Sequence, residues 1–184
     1  GFFAEGDGCG AISSDTALVP ALQAWRVAAG KDFIAPRPNA PWMTLKWLML
    51  TLPRDGKPAF PHRGTYEHNV WARNGLSGSG QFAQGFGGIG DAEKPALLWL
   101  YNRVFRDADE KAGGPFDTVN PYPHRAVLSF VNWPLGVAEK NPGEVLPRAV
   151  EDKAMGFYMF RNRWQDGDDV VVTALLKGAK GNYG

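Results

Sequence analysis

Few side chains in this 184-residue chain are suited to moving a proton: the three histidines His62, His68 and His124, the single cysteine Cys9, and tyrosines such as Tyr66. The histidines are separated by six and fifty-six positions and the cysteine is remote, so no zinc-ligand spacing is present and no metal is expected. Carboxylates Glu5 and Asp7 stand in a glycine-rich stretch, where they could form a solvated turn or aim a carboxylate into a cleft. Nucleophile chemistry lacks its signature. Ser79 lies between Gly78 and Gly80 inside a glycine loop, without the strand-to-helix elbow that a catalytic serine needs. Gly85, Gly87 and Gly90 match the spacing of a dinucleotide fingerprint, but no strand precedes them and no P-loop exists, so no cofactor is expected. Arg161 and Trp164 complete the set, as a cation and an aromatic at the end of an apolar run.

These residues need elements to position them. Leu18, Leu22, Trp25 and Ala29 recur at helical spacing and predict a helix over about 15–29, with Ser14 or Asp15 as cap and Gly30 as stop. Trp42, Leu45, Leu48, Met49 and Leu52 predict a second helix over 42–52, with Pro41 in its first turn. Asp91 is placed to cap a third, over 92–106, whose Leu97, Leu98, Tyr101, Val104 and Phe105 face inward. Trp25, Trp42, Leu48 and Leu98 are expected to be buried where these helices pack. The Pro-rich stretch from Trp133 to Pro147 marks a boundary, after which the pattern turns to strands. Asp166-Gly167 between two apolar runs predicts a hairpin of strands 155–164 and 168–176, with Phe157, Met159 and Arg161 on one face and Tyr158 and Phe160 on the other.

Hydrophobic residues make up 44% of the chain, enough for a packed core. Twenty Lys and Arg against nineteen Asp and Glu leave a net charge of +1, with no electrostatic footprint for nucleic acid or an anionic membrane. No apolar run reaches the roughly 20 residues of a membrane helix. Seven tryptophans serve a large core, or in part stack on sugar rings.

Two segments carry a resemblance. Phe157-Tyr158-Met159-Phe160-Arg161-Asn162-Arg163-Trp164, its acidic turn and the apolar strand behind it look like the opening of the β-sandwich in heparinase II/III-like polysaccharide lyases. Glu5-Gly6-Asp7-Gly8, then Leu18-Val19-Pro20-Ala21-Leu22 and Gly30-Lys31-Asp32, resemble a stretch of the helical toroid of the same family. The resemblance implies an α+β chain: part of an (α/α) toroid over residues 1–140, followed by the first strands of an antiparallel β-sandwich over 141–184.

It also implies cleavage of a uronic-acid-containing polysaccharide, of glycosaminoglycan or alginate type, by β-elimination in a periplasmic or secreted protein. That reaction needs a neutralised uronate carboxylate, a base for the C5 proton and an acid for the leaving oxygen. The family's tyrosine falls on Cys9, whose thiol is shorter than a phenol. His62, Tyr66 and His124 are then the candidate acid–base groups. Glu5, Trp133, Arg161 and Trp164 are the candidate substrate-side residues, lining a cleft between helices and hairpin. Arg161 either grips a carboxylate or fixes the interface through backbone carbonyls. The expected partners are an acidic polysaccharide and the remainder of the same polypeptide, of which this chain reads as a fragment with little lyase activity of its own. Two alternatives stay open: a non-catalytic carbohydrate-binding relative, and a glycoside hydrolase pairing Glu5 or Asp7 with Glu67 at about 5–10 Å.

Overall fold

The computed structural model describes residues 18–38, 41–54, 57–59, 85–107, 127, 130–153 and 156–176. Within them the protein is α+β. Helix α1 spans Leu18–Ala29 and α2 spans Trp42–Leu50. A small hairpin follows, β1 (Leu52–Arg54) paired antiparallel with β2 (Lys57–Ala59). A 3-10 turn at Gly85–Gly88 leads to helix α3, Lys94–Val104. A second 3-10 turn, Pro142–Glu144, precedes a three-stranded antiparallel sheet of β3 (Ala149–Asp152), β4 (Phe157–Arg161) and β5 (Val171–Leu175), with β4 in the middle.

Each helix forms at its predicted place; α2 ends two residues early, α3 is two residues shorter at each end, and the predicted start of α1 at 15–17 lies outside the described residues. Pro20 is accommodated in the first turn of α1, where a missing N–H costs nothing. In α2, Thr44, Leu45, Leu48, Met49 and Leu50 are all buried, and so is Lys46, so this helix is enclosed on every described side rather than amphipathic. Asp91 does not cap α3. The N-cap is Glu93, which makes no side-chain cap bond, and Asp91 instead binds the Lys94 ammonium at 2.6 Å. Leu97, Tyr101, Val104 and Phe105 are inward as the periodicity requires, Ala96, Trp99 and Leu100 are buried as well, and Leu98, like Trp42 of α2, is only partly buried against the core.

One expectation fails on α1. Trp25 is 52% exposed and meets Phe33 across the following turn, while Gln23 is the buried one among the described side chains of that helix. The reason is the 3-10 turn. A Cβ on Gly87 would sit 1.3 Å from Gln23 Nε2, and one on Gly85 would sit 2.8 Å from Thr44 Cγ2. The backbone of this turn is pressed against α1 and α2, so α1 buries its Gln23 face, where Gln23 donates to Asn132 Oδ1 at 2.8 Å. The glycine spacing therefore serves close helix packing.

The core runs through both kinds of structure. Leu45, Leu48 and Met49 of α2, Leu97 and Leu100 of α3, and Phe157 and Met159 of β4 belong to one hydrophobic cluster that also takes in Leu146 and Trp164. The Pro-rich stretch is tied to α3: Glu139 accepts from Asn102 at 2.5 Å and from Arg103 at 3.0 Å, and Lys140 N donates to Pro95 O. Burial pushes the Glu139 carboxyl upward, but the bonds from Asn102 and Arg103 and the Arg103 charge more than offset it, so it titrates below the ordinary 4.5. A lowered folded value means that this contribution is present above pH 4.5 and is lost as pH falls through the folded value. Replacing Glu139 by Gln should accordingly flatten the loss of stability below that pH, read from urea midpoints at pH 3, 4 and 6.

Candidate functional site at the helix–sheet joint

The chain brings its C-terminal motif to the end of α2. A helix of this length leaves its last carbonyls without intrahelical partners, and the last turn of α2 carries no basic residue of its own. Arg161, at the end of β4, supplies the cation from another element. Its Nη1 donates to the carbonyls of Leu48 at 3.4 Å, Met49 at 3.1 Å and Thr51 at 2.6 Å. Its Nε donates to Arg163 O at 2.7 Å, and its Nη2 to Asp169 Oδ2 at 3.0 Å. The guanidinium thus closes the helix terminus and complements the negative end of its dipole.

Asp169 is the counter-ion and the organiser of the connection. Besides Arg161 it accepts from Arg163 Nε at 3.0 Å and from the backbone N–H groups of Gln165 at 2.8 Å and Asp166 at 3.4 Å. The two strands are antiparallel and Arg161 pairs with Val171, but they are joined by a loop over 162–170 rather than by a two-residue turn at Asp166-Gly167. The acidic run folds inward around Asp169 because the two arginines of the motif need a common anion. Gly167 faces β1 so closely that a Cβ there would lie 3.2 Å from Arg54 Cα and Pro53 O, and Arg54 Nη2 donates to Gly167 O at 3.0 Å.

Trp164 fills the space beneath. Its ring centroid lies 5.0 Å from the Arg161 guanidinium carbon, within cation–π range, and its carbonyl accepts from Asn141 Nδ2 at 2.7 Å. Asn141 also caps the 3-10 turn through Gly143 N, so one side chain fastens the Pro-rich stretch to the loop. Among the described residues, the buried polar side-chain atoms without a partner are Trp164 Nε1 and Thr51 Oγ1, both belonging to residues of this joint.

The joint is closed to solvent. The side chains of Arg161 and Asp169 are both 0% exposed and Trp164 is 2% exposed. Arg161 takes the carbonyl-fixing arrangement of the two that its sequence context allowed. Burial lowers its pKa, while the hydrogen bond and charge of Asp169 raise it; the net direction is down, but a guanidinium so placed stays protonated. Its chemistry is to hold geometry. Trp133, also expected on the substrate side, is half-buried and packs edge-on against Tyr101 at 4.8 Å and Phe86 at 5.7 Å. Glu5, His62, Tyr66 and His124 lie outside the described residues. Asp169 and Asn141 were not singled out in the sequence. The available signal was the opposition of Arg161 and Arg163 to an acidic run only a few positions on.

Among the described residues no helix is long and apolar enough to cross a membrane, and no group of three or more His, Cys, Asp or Glu could hold a metal ion. No protein-family model, curated protein or solved structure matches the chain.

Removing the guanidinium leaves Asp169 buried beside unsatisfied helix carbonyls. Arg161→Ala should therefore cost about 3–5 kcal/mol, measured by denaturant unfolding. Arg161→Lys should recover only a minor part, because an ammonium cannot reproduce the planar fork. In a double-mutant cycle with Asp169→Asn the two losses should be strongly non-additive.

Proposed function

We propose that this chain forms the junction between helical toroid and antiparallel β-sandwich in a polysaccharide lyase that cleaves a uronic-acid-containing polymer by β-elimination. One observation carries this reading. The residues behind the C-terminal resemblance, Arg161, Trp164 and the acidic run ending in Asp169, are the ones that bind the sheet to the end of α2. A guanidinium that caps a helix from a strand suits the meeting of two architectures, whereas proton transfer would ask nothing of that cap.

In this reading the joint sets the relative placement of the two parts, between which the acidic polysaccharide lies. Proton transfer falls to His62, Tyr66 and His124, with Glu5 and Trp133 as substrate-side candidates and Arg161 and Trp164 acting through position. β-Elimination needs a base at C5 and an acid at the glycosidic oxygen. Groups of this kind contribute about 10²–10⁴-fold each. A periplasmic or secreted location would follow from such a substrate.

The reading is tested with the protein that carries this chain, incubated with alginate, heparin and hyaluronate. At least one polymer should yield the unsaturated uronate product, followed by its ultraviolet absorbance. His62→Ala, Tyr66→Phe and His124→Ala should separate the acid–base groups by losses of about 10²–10⁴-fold in turnover. New reducing ends without unsaturation would replace the lyase by a glycoside hydrolase. Saturable binding of a polymer without any product would leave a carbohydrate-binding relative.

A further inference from the structure

Among the described residues, the outer sides of β3 and β5 have no neighbouring strand, and these two edges differ in kind. β3 is guarded. Arg148, Glu151, Asp152 and Lys153 stand on it or beside it, and Glu151 pairs with Lys153 at 3.1 Å. Charges on an edge oppose the arrival of another strand. β5 has no such guard: the stretch from Val170 through Leu176 holds no charged residue, no proline and no glycine.

The alternation of the ladder decides what β5 offers outward. Leu176 N donates to Gly156 O and Asn162 N donates to Val170 O, so Val170, Val172, Ala174 and Leu176 turn their backbone groups toward β4. The N–H and C=O groups of Val171, Thr173 and Leu175 then point away from the sheet. Side chains alternate with the same period. Val171 packs against the core, whereas Val170, Val172 and Leu176 are 55%, 51% and 77% exposed, beside Phe160 at 48%.

An antiparallel copy of β5 fits this edge. A two-fold axis at Thr173 sets Thr173 against itself and Val171 against Leu175, and these are the residues whose backbone groups point outward. The pairs in between are the close ones, where side chains meet. They match Val172 with Ala174 and Val170 with Leu176, so the large apolar side chains that one copy leaves exposed find those of the other. The row of Phe160 and Val172 runs on into Ala174 and Tyr158 of the second copy. Charge agrees with this order. β5 leaves the loop that carries the exposed Asp168 and leads in sequence to Lys177, so an antiparallel copy sets an acidic end against a basic one. On β3 the same operation would bring Glu151 and Asp152 of both copies together, which like charges oppose.

We propose that β5 is a self-association edge, through which two copies of this chain join their sheets into one continuous antiparallel sheet. The pairing uses neither the Arg161 joint nor any group named for β-elimination.

The full chain is followed by sedimentation velocity over about 5–500 μM, the range that suits a small interface. Amide hydrogen exchange is read at both ends of that range. The mass should rise from one chain toward two, and the amides of Val171, Thr173 and Leu175 should gain protection only in the dimer. Thr173→Pro removes an N–H that points away from β4, so it spares the sheet and should weaken association about tenfold or more. Val172→Lys places a charge on an already exposed face, and should weaken association by about as much with an unchanged circular-dichroism spectrum. Val172→Ile keeps the branched apolar surface and should leave association intact. A chain that stays monomeric at the highest concentration overturns the proposal; protection of the same amides in that monomer would assign the edge to another strand of the same chain. A dimer indifferent to Val172→Lys overturns it too, because association then uses another surface. None of these readouts involves a polysaccharide, so the elimination assay stands or falls separately.

Discussion

The constraint on which the described structure turns is a buried helix end that the helix itself does not close. α2 is enclosed in the core, and its last turn has no basic residue. Water cannot satisfy the carbonyls of Leu48, Met49 and Thr51 at that depth, and an orphaned buried carbonyl is costly. Arg161 is the solution, and it has to arrive from a strand more than a hundred positions further on. A buried guanidinium in turn demands a buried anion, which brings in Asp169. The shape of the loop over 162–170 follows from that second demand.

The rest of the joint accumulates around this pair. Trp164 lies under the guanidinium, Asn141 ties the Trp164 carbonyl to the 3-10 turn, and Glu139 ties the same Pro-rich stretch to α3. The stretch that composition marks as a boundary is thereby bonded at both ends, with Pro142 and Leu146 buried. Helices and sheet share one hydrophobic cluster, and polar clasps fix how they meet. Apolar burial is non-directional, so it favours contact between α2 and β4 without choosing their angle. The fork of Arg161 selects one geometry.

That division bears on function. A side chain wholly withdrawn from solvent and turned toward five internal acceptors is out of reach of a substrate carboxylate. Among the described residues, exposed ion pairs lie elsewhere, around Arg26, Asp32, Asp91 and Lys94. Burial suits the Arg161 joint to holding geometry, whereas that second region stays open to solvent.

Periodicity and local chemistry were sufficient for the three helices and for the β4–β5 pair, but not for β1, β2 or β3, and Leu52, read as part of the second helix, lies in β1. The 3.6-residue repeats of α1, α2 and α3 and the alternation of Phe157, Met159 and Arg161 against Tyr158 and Phe160 are properties of contiguous residues, and they appear where the sequence places them. What adjoined those elements was not legible. Trp25 has a core residue's hydrophobicity and spacing, yet it is exposed because the glycine turn at 85–88 takes the other face of its helix. Asp-Gly reads as a tight hairpin, yet the chain opens into a longer loop because Asp169 is drawn to two arginines. The α+β character, the strand faces and the oddity of Arg161 were therefore determined by the sequence itself. The partners of Arg161 and the burial of Asp169 were decided only by tertiary structure, because each depends on which distant backbone group or charge is left unsatisfied once the helices have packed.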